Sequence, residues 1–137
     1  MEYQFKIHYT RDEARALLPQ IREWLQQLVD LRDQLRTSEQ RAGALMERGE
    51  DAGGNLVNTW VRQMADVRLV LMEFQKREVQ IKDIDRGLVD FPAIIGGQEV
   101  FLCWEKDETD IEFWHDLESG YAGRERLGGA PDHGTSA

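Results

Sequence analysis

The chain has 137 residues, with 26 acidic and 17 basic side chains and a formal net charge of −9. This length is typical of a single domain. No apolar run approaches the roughly 18 residues of a membrane-spanning helix, and the first residues lack the basic and apolar pattern of a signal peptide. The single cysteine excludes an internal disulfide framework and a zinc ribbon.

The negative charge lies entirely in the last part of the chain. Residues 1–42 and 43–82 are each neutral overall, whereas residues 83–137 carry 4 basic and 13 acidic side chains. Affinity for nucleic acid depends on cationic side chains that neutralise phosphates, so we expect no binding of DNA or RNA. The acidic part is better suited to a cation, a basic protein partner or a small-molecule ligand held by a local arginine.

The N-terminal pattern predicts a strand followed by a long helix. Residues 3–9 alternate apolar and polar side chains, which is typical of a half-buried strand. Thr10 and Glu13 match a capping box, and helical spacing then continues to about Arg41. Pro19 lies within this pattern and has no amide hydrogen to donate. We therefore expect either a kink at Pro19 or a break into two helices.

A second amphipathic pattern runs from about Leu56 to Arg77, after a glycine-rich connection. Two apolar stripes joined by one loop predict an antiparallel helical hairpin over about residues 10–77. A helix of about 30 residues is roughly 45 Å long, whereas strands of five or six residues reach about 17–20 Å. The far end of the hairpin should project past the sheet, and we expect a homodimer that covers its apolar surface. The distal apolar residues are Leu31, Leu35, Leu45, Met46, Val57 and Trp60.

Four short strand patterns, each bounded by turn residues, follow in a β-rich acidic part over about residues 78–126. They cover residues 79–82, 88–95, 100–104 and 111–114. The sequence thus predicts a single α+β domain over residues 1–126, with the long antiparallel helical hairpin packed on a small, mainly antiparallel β-sheet. Residues 127–137 are rich in glycine and small polar residues, so we expect a disordered tail there.

Several segments are distinctive enough to compare with known families. They are KDIDRGLVDFP at 82–92, VFLCW at 100–104, FWHDL at 113–117, GYAGR at 120–124 and the opening YTRDEA at 9–14. With these segments the chain resembles an uncharacterised prokaryotic family, a domain of unknown function, over about residues 5–126. The resemblance implies a bacterial, cytoplasmic setting and assigns no activity, cofactor or site.

Asp90 is the first candidate site residue. It stands between Val89 and Phe91 in an apolar strand pattern, so it lies either on the solvent face or buried with a partner. A buried carboxylate can act as an acid or a base. The alternative is a structural role, in which Asp90 caps a turn or pairs with Arg86 or Arg124.

His115 is the second candidate, because histidine suits both proton transfer and metal binding. On the inward face it would meet Asp90 and either Asp83 or Asp85. One histidine with two or three carboxylates suits a divalent cation such as Mn, Fe or Mg. His115 and Asp90 are therefore candidate catalytic residues, and all four are candidate metal ligands. The chain has no paired-histidine or cysteine-cluster motif, and a hydrogen-bonded structural histidine is the alternative.

The remaining candidates lie near these two. Arg124, in a glycine-flanked segment, could hold a carboxylate or phosphate ligand, or pair with one of the local acids. Trp114 is a candidate ligand-binding aromatic beside a pocket, since it alternates with His115. Cys103 is expected in the core, with a nucleophile–base pair to His115 as the alternative.

Two functions follow from these patterns. The first is a dimeric binding or interaction protein, in which the helical hairpin is a scaffold and the β-rich part is an acidic cap. The alternative is a small enzyme or ligand-binding protein, with Asp90, His115 and Arg124 around a pocket. Convergence of these three side chains in a concave pocket would favour the alternative, and divergence would favour the first.

Overall fold

The computed structural model describes residues 2–50 and 53–128. Two helices precede five strands, which confirms the α+β class. The helices are α1 (Arg11–Glu47) and α2 (Gly54–Gln75), and the strands are β1 (Gln80–Asp83), β2 (Leu88–Ile95), β3 (Gln98–Glu105), β4 (Phe113–Asp116) and β5 (Glu125–Arg126). In this part of the chain, neither helix is apolar enough over a sufficient length to cross a membrane.

Helix α1 begins at the predicted capping box. The Thr10 hydroxyl accepts a hydrogen bond from the Glu13 amide at 3.1 Å, and the Glu13 carboxylate accepts one from the Thr10 amide at 2.9 Å. The helix continues without interruption through Pro19, so the alternative of a break there is wrong. Leu18 and Ile21, on either side of Pro19, are buried in the core, and this packing offsets the one hydrogen bond that proline removes.

The two helices form the predicted antiparallel hairpin. Near the sheet, the Trp24 ring packs edge-on against Phe74, with ring centroids 5.6 Å apart. Further out, Ser38 Oγ lies 2.9 Å from Gln63 Oε1. Later positions in α1 thus meet earlier positions in α2. At 1.5 Å per residue α1 is roughly 55 Å long, and its buried residues lie mostly in its N-terminal half.

The sheet is a meander in the order β1-β2-β3-β4-β5, and each strand is antiparallel to its neighbours. Because side chains alternate along a strand, the sheet has two different faces. One face packs on α1 to form the hydrophobic core; its buried members include Val89, Phe91, Ala93, Val100, Leu102 and Trp104. The opposite face carries Asp90, Cys103 and His115.

The predicted strand over residues 3–9 is wrong. In this segment, four backbone amides donate to side-chain carboxylates and not to a neighbouring strand. The Glu99 carboxylate accepts from the amides of Gln4 and Phe5. The Glu78 carboxylate accepts from the amides of Lys6 and Ile7. Carboxylates thus satisfy these backbone amides in place of a partner strand.

Two boundaries in the β-rich part also differ from the predictions. The last predicted strand, 111–114, is shifted by two residues to β4. The predicted tail begins too early, because Leu127 is buried and its amide donates to the Glu112 carbonyl at 2.7 Å. The rest of the predicted tail, from residue 129, lies outside the described residues.

The Glu99 carboxylate is expected to make stability depend on pH in the acidic range. Burial alone would raise the pKa of Glu99, but hydrogen bonds from His8 and the amides of Gln4 and Phe5 hold this pKa below its ordinary value. A lowered pKa means that the stabilisation is present above the unfolded-state pKa of about 4.3 and is lost as the pH falls through the folded-state value. Replacing Glu99 by Gln should cost about 1–3 kcal/mol at neutral pH and flatten the acidic dependence.

Urea unfolding between pH 6 and pH 3 measures this effect. Glu112→Gln is the matched control, because Glu112 makes only an exposed ion pair with Arg126 and should cost less than about 1 kcal/mol. Equal losses in the two variants would contradict the role assigned to Glu99.

Candidate functional site

Three polar side chains from three adjacent strands converge on the sheet face that points away from the helices. Asp90 of β2 stands directly opposite Cys103 of β3, and His115 of β4 lies diagonally beside Cys103. His115 Nε2 is 3.1 Å from Asp90 Oδ2. One donor atom from each residue lies within 4.8 Å of the other two. All three are buried, with exposed fractions of 3% or less. We call them the Asp-Cys-His cluster.

The hydrogen bonds of His115 define its protonation. Nδ1 lies 2.7 Å from the Asp116 carbonyl oxygen, which can only accept, so Nδ1 carries a hydrogen. Burial alone lowers the pKa of His115, but hydrogen bonds to the Asp90 side chain, the Cys103 side chain and the Asp116 carbonyl outweigh it. Together they raise this pKa from 6.5 to about 10. At neutral pH His115 is therefore an imidazolium paired with the Asp90 carboxylate.

This arrangement does not fit a cysteine-nucleophile triad. Such a triad places the nucleophile and the acid at opposite nitrogens of the histidine ring. Here Asp90 already occupies Nε2 and a backbone carbonyl occupies Nδ1, so neither nitrogen is left to act as base toward Cys103. Cys103 is fully buried, in keeping with the predicted core position, yet its side chain also hydrogen-bonds to His115.

A pocket of about 340 Å³ opens over the cluster. Its walls come from strands β1 to β4 and from the segment 117–121 that follows β4. Asp116 holds this segment in place, because its carboxylate accepts from the amides of Glu118 at 3.0 Å and Ser119 at 2.7 Å. Besides the cluster, the lining consists of Lys82, Leu88, Phe101, Leu117, Glu118, Ser119, Gly120 and Tyr121.

Arg124 supports the pocket from behind and is not among its lining residues. Its guanidinium donates to Glu108 at 2.6 Å and lies 3.8 Å from the centre of the Phe113 ring. It also stacks on Tyr121 at 4.1 Å, which fixes one wall of the pocket. Its Nη1 is 3.9 Å from Cys103 Sγ. Arg124 therefore takes the local acid partner that the sequence left as its alternative, and it meets the cluster through Cys103.

The other predicted site residues lie elsewhere. Asp85 forms an exposed ion pair with Arg32 at 2.7 Å, and Asp83 accepts from the Arg86 amide at 3.0 Å within the β1–β2 turn. Neither aspartate belongs to the cluster. Trp114 packs against the hydrophobic core on the helix-facing side of the sheet. Because Trp114 alternates with His115 along β4, it lies on the sheet face opposite the pocket and not beside the pocket, as the sequence had suggested.

The sequence interpretation missed Cys103 as a member of the site, although a signal for it was present. Gly96 and Gly97 form a two-residue hairpin turn, and such a turn fixes the register of the strands on either side. Counting back from this turn pairs Asp90 with Cys103. The pocket residues Lys82, Ser119 and Tyr121 had no comparable signal. Lys82 lies where the β1–β2 register shifts, and the other two depend on how the segment after β4 folds over the sheet.

Residues 8–127 match the model of a family described as an uncharacterized conserved protein, DUF2203. No curated protein and no solved structure matches the chain. The match spans every strand of the sheet and all three residues of the Asp-Cys-His cluster. On this match over most of its length, the chain belongs to the DUF2203 family.

Proposed function

We propose that the protein binds a small-molecule ligand in the pocket above the Asp-Cys-His cluster. The observation that carries this proposal is the buried Asp90–His115 ion pair at the pocket floor. A buried ion pair contributes little net stability compared with apolar packing, so stability alone does not account for it. Histidines with a strongly shifted pKa in pockets of this size are typical of binding and active sites.

The lining indicates the chemistry of the ligand. Leu88, Phe101 and Leu117 offer apolar walls. Asp90 and His115 neutralise each other. The two other charged residues of the lining are Lys82 and Glu118, and neither makes an ion pair among the described residues. The Lys82 ammonium lies 5.7 Å from the centre of the Phe101 ring. An unpaired cation at the edge of an apolar pocket favours a small ligand with an apolar part and a carboxylate or similar anionic group.

Ligand-observed fluorine NMR with a set of small fluorinated carboxylic acids tests this proposal. We expect line broadening for members of the set with the native protein, and weaker broadening with Lys82→Met. Gly120→Trp should abolish it, because Gly120 lines the pocket and nothing lies within 4 Å of an added Cβ, which leaves room for a large ring at the pocket wall. Gly120→Ala, which leaves the pocket open, is the matched control. No broadening with the native protein, or equal broadening with Gly120→Trp, would overturn the proposal.

The pocket suits a ligand-binding protein and a small enzyme alike, since the Asp90–His115 pair could also transfer protons. Of the three side chains expected to converge, Asp90 and His115 meet in the pocket and Arg124 braces its wall. A cytoplasmic location is part of the proposal, and the unpaired Cys103 is in keeping with a reducing compartment.

A homodimer through the hairpin is a second proposal, and a separate observation favours it. Helix α2 has a single fully buried residue, Phe74, while large apolar side chains are exposed along the hairpin. Four of them, Val57, Val61, Met64 and Leu71, follow the spacing of a coiled-coil seam that only Arg68 interrupts. The exposed large apolar residues of the hairpin are Met46, Val57, Trp60, Val61, Met64, Leu69, Leu71 and Met72. A second copy of the chain would cover the seam formed by Val57, Val61, Met64 and Leu71.

Light scattering at micromolar concentration tests the dimer. We expect twice the chain mass of 15.9 kDa, and a monomer mass for Val61→Glu, which places a charge in the middle of the seam. Leu69→Glu is the matched control, since Leu69 is equally exposed but lies off the seam. A native protein that elutes and scatters as a monomer would refute the dimer.

A further inference from the structure

We propose that Asp90, Cys103 and His115 are ligands of a divalent transition-metal ion of the Zn²⁺ type, with a further coordination position that opens to the pocket. This inference rests on the proposed function, because the open position matters only if the pocket admits a ligand. The anionic group of that ligand would then coordinate the ion directly and lie near Lys82 as well.

The spacing of the three donor atoms fits one ion. Tetrahedral bonds of about 2.0 Å to nitrogen or oxygen and 2.3 Å to sulfur place the donor atoms roughly 3.3–3.5 Å apart. His115 Nε2 and Asp90 Oδ2 are already 3.1 Å apart, and all three donors lie within 4.8 Å of one another. Side-chain rotations that move the donor atoms by roughly 1 Å would close the site around an ion.

A second observation points to a ligand at the same place. Asp90 Oδ1 is buried and has no hydrogen-bond partner among the described residues, although Asp90 is only 2% exposed and lines the pocket. An unsatisfied buried carboxylate oxygen is costly. A metal ion between Asp90, Cys103 and His115 would remove this cost and take the place of the proton that Nε2 shares with Asp90.

The orientation of His115 is that of a metal ligand. Histidines that bind metal through one nitrogen usually donate the other ring N–H to a carbonyl or carboxylate, which fixes the ring. The Asp116 carbonyl accepts from Nδ1 at 2.7 Å, and the Phe101 ring packs beside the imidazole at 5.5 Å. Nε2 is thereby aimed at Asp90, beside which Cys103 stands on the neighbouring strand.

The donor set selects the class of ion. One thiolate, one imidazole and one carboxylate are a mixture that Zn²⁺ and Co²⁺ accept, whereas Mg²⁺ and Ca²⁺ prefer oxygen ligands alone. Three protein ligands with an open position are typical of zinc sites that act on a substrate, while structural zinc sites use four. This set differs from the histidine and carboxylates expected from the sequence, because Cys103 takes the place of Asp83 and Asp85.

Cobalt titration of the chelator-treated native chain is the primary test. We expect one equivalent of Co²⁺ to bind with a near-ultraviolet thiolate-to-cobalt charge-transfer band, and Zn²⁺ but not Mg²⁺ to displace it. Cys103→Ala should abolish the charge-transfer band, and His115→Gln should weaken binding by at least about 100-fold. Asp85→Asn is the matched control and should bind Co²⁺ as the native chain does.

Circular dichroism of each variant verifies that it is folded, and Cys103→Ala is the most conservative of them, since alanine replaces a small buried side chain. Absence of the charge-transfer band in the native chain overturns the metal site, and so does unchanged binding in folded Cys103→Ala. Gly120→Trp separates the two proposals. It should lose the fluorinated acids but keep the cobalt band. Binding of the acids without any cobalt band would overturn the metal site and leave the pocket proposal standing.

Discussion

Replacing His115 by Met is expected to lower the free energy of unfolding by about 3–5 kcal/mol. His115 and Asp90 are each only 2% exposed in their side chains and lie 3.1 Å apart. Methionine fills a similar volume but leaves the Asp90 carboxylate buried without a cation. Asp90 then loses the partner of Oδ2 in addition to the unsatisfied Oδ1. The large cost therefore comes from the stranded carboxylate and much less from lost packing.

A double-mutant cycle isolates this effect. Asp90→Val should also be costly, whereas the double variant Asp90→Val/His115→Met should recover most of the loss, because an apolar pair can replace a buried ion pair at little cost. Urea unfolding at neutral pH in the presence of EDTA measures all four proteins in the metal-free state. If the two single losses simply add in the double variant, the ion pair is not the source of the cost.

The fold was predictable to the extent that local patterns determined it. The capping box of Thr10 and Glu13, the apolar stripes of the helices and the turn at Gly96 and Gly97 each act over a few residues. Residues 3–9 had an equally clear alternating pattern and still form no strand. The pattern does not determine which side chains are buried, since Tyr3 and Ile7 are exposed. Whether a strand forms depends on the backbone partners that the rest of the fold supplies.

The candidate site was predictable in part for the same reason. Asp90 and His115 were singled out because polar groups in apolar strands need partners. Their meeting with Cys103 depends on the register across three strands, which only the β2–β3 turn encodes locally. Trp114 was misplaced because the sequence does not reveal which sheet face the helices cover. Asp85 was misplaced because its turn carries it to Arg32 of α1, a contact between distant parts of the chain. The pocket itself depends on long-range contacts such as Arg124 with Tyr121.

The hairpin divides into two regions with different roles. Near the sheet, α1 buries residues from Ala14 to Leu28 in the core that supports β2 and β3. Beyond Leu28, Ser38 is the one buried residue of α1 among the described residues. The near region thus stabilises the strands that carry the cluster, while the far region offers an apolar face to a partner. Damage to the two regions should have separable effects on stability and on assembly.

Two tryptophans allow a direct test of this division. Trp104 is fully buried, its indole N–H donates to the Glu108 carbonyl at 2.9 Å, and the Arg22 guanidinium lies 4.7 Å from its ring centre. Trp104→Ala should cost about 3–5 kcal/mol, because it leaves a large cavity between α1 and the sheet. Trp60 is 38% exposed on the far region, so Trp60→Ala should cost about 1 kcal/mol or less in the monomer.

Both variants replace tryptophan by alanine, so their losses can be compared directly. Urea unfolding measures them at a protein concentration too low for the dimer to form. Raising the concentration should widen the gap between native protein and Trp60→Ala, because a dimer that covers Trp60 adds stability by mass action. The loss in Trp104→Ala should stay large at every concentration. Equal losses for both tryptophans would mean that the far region belongs to the folding core. If the stability lost in Trp60→Ala does not change with protein concentration, Trp60 is not part of the proposed interface.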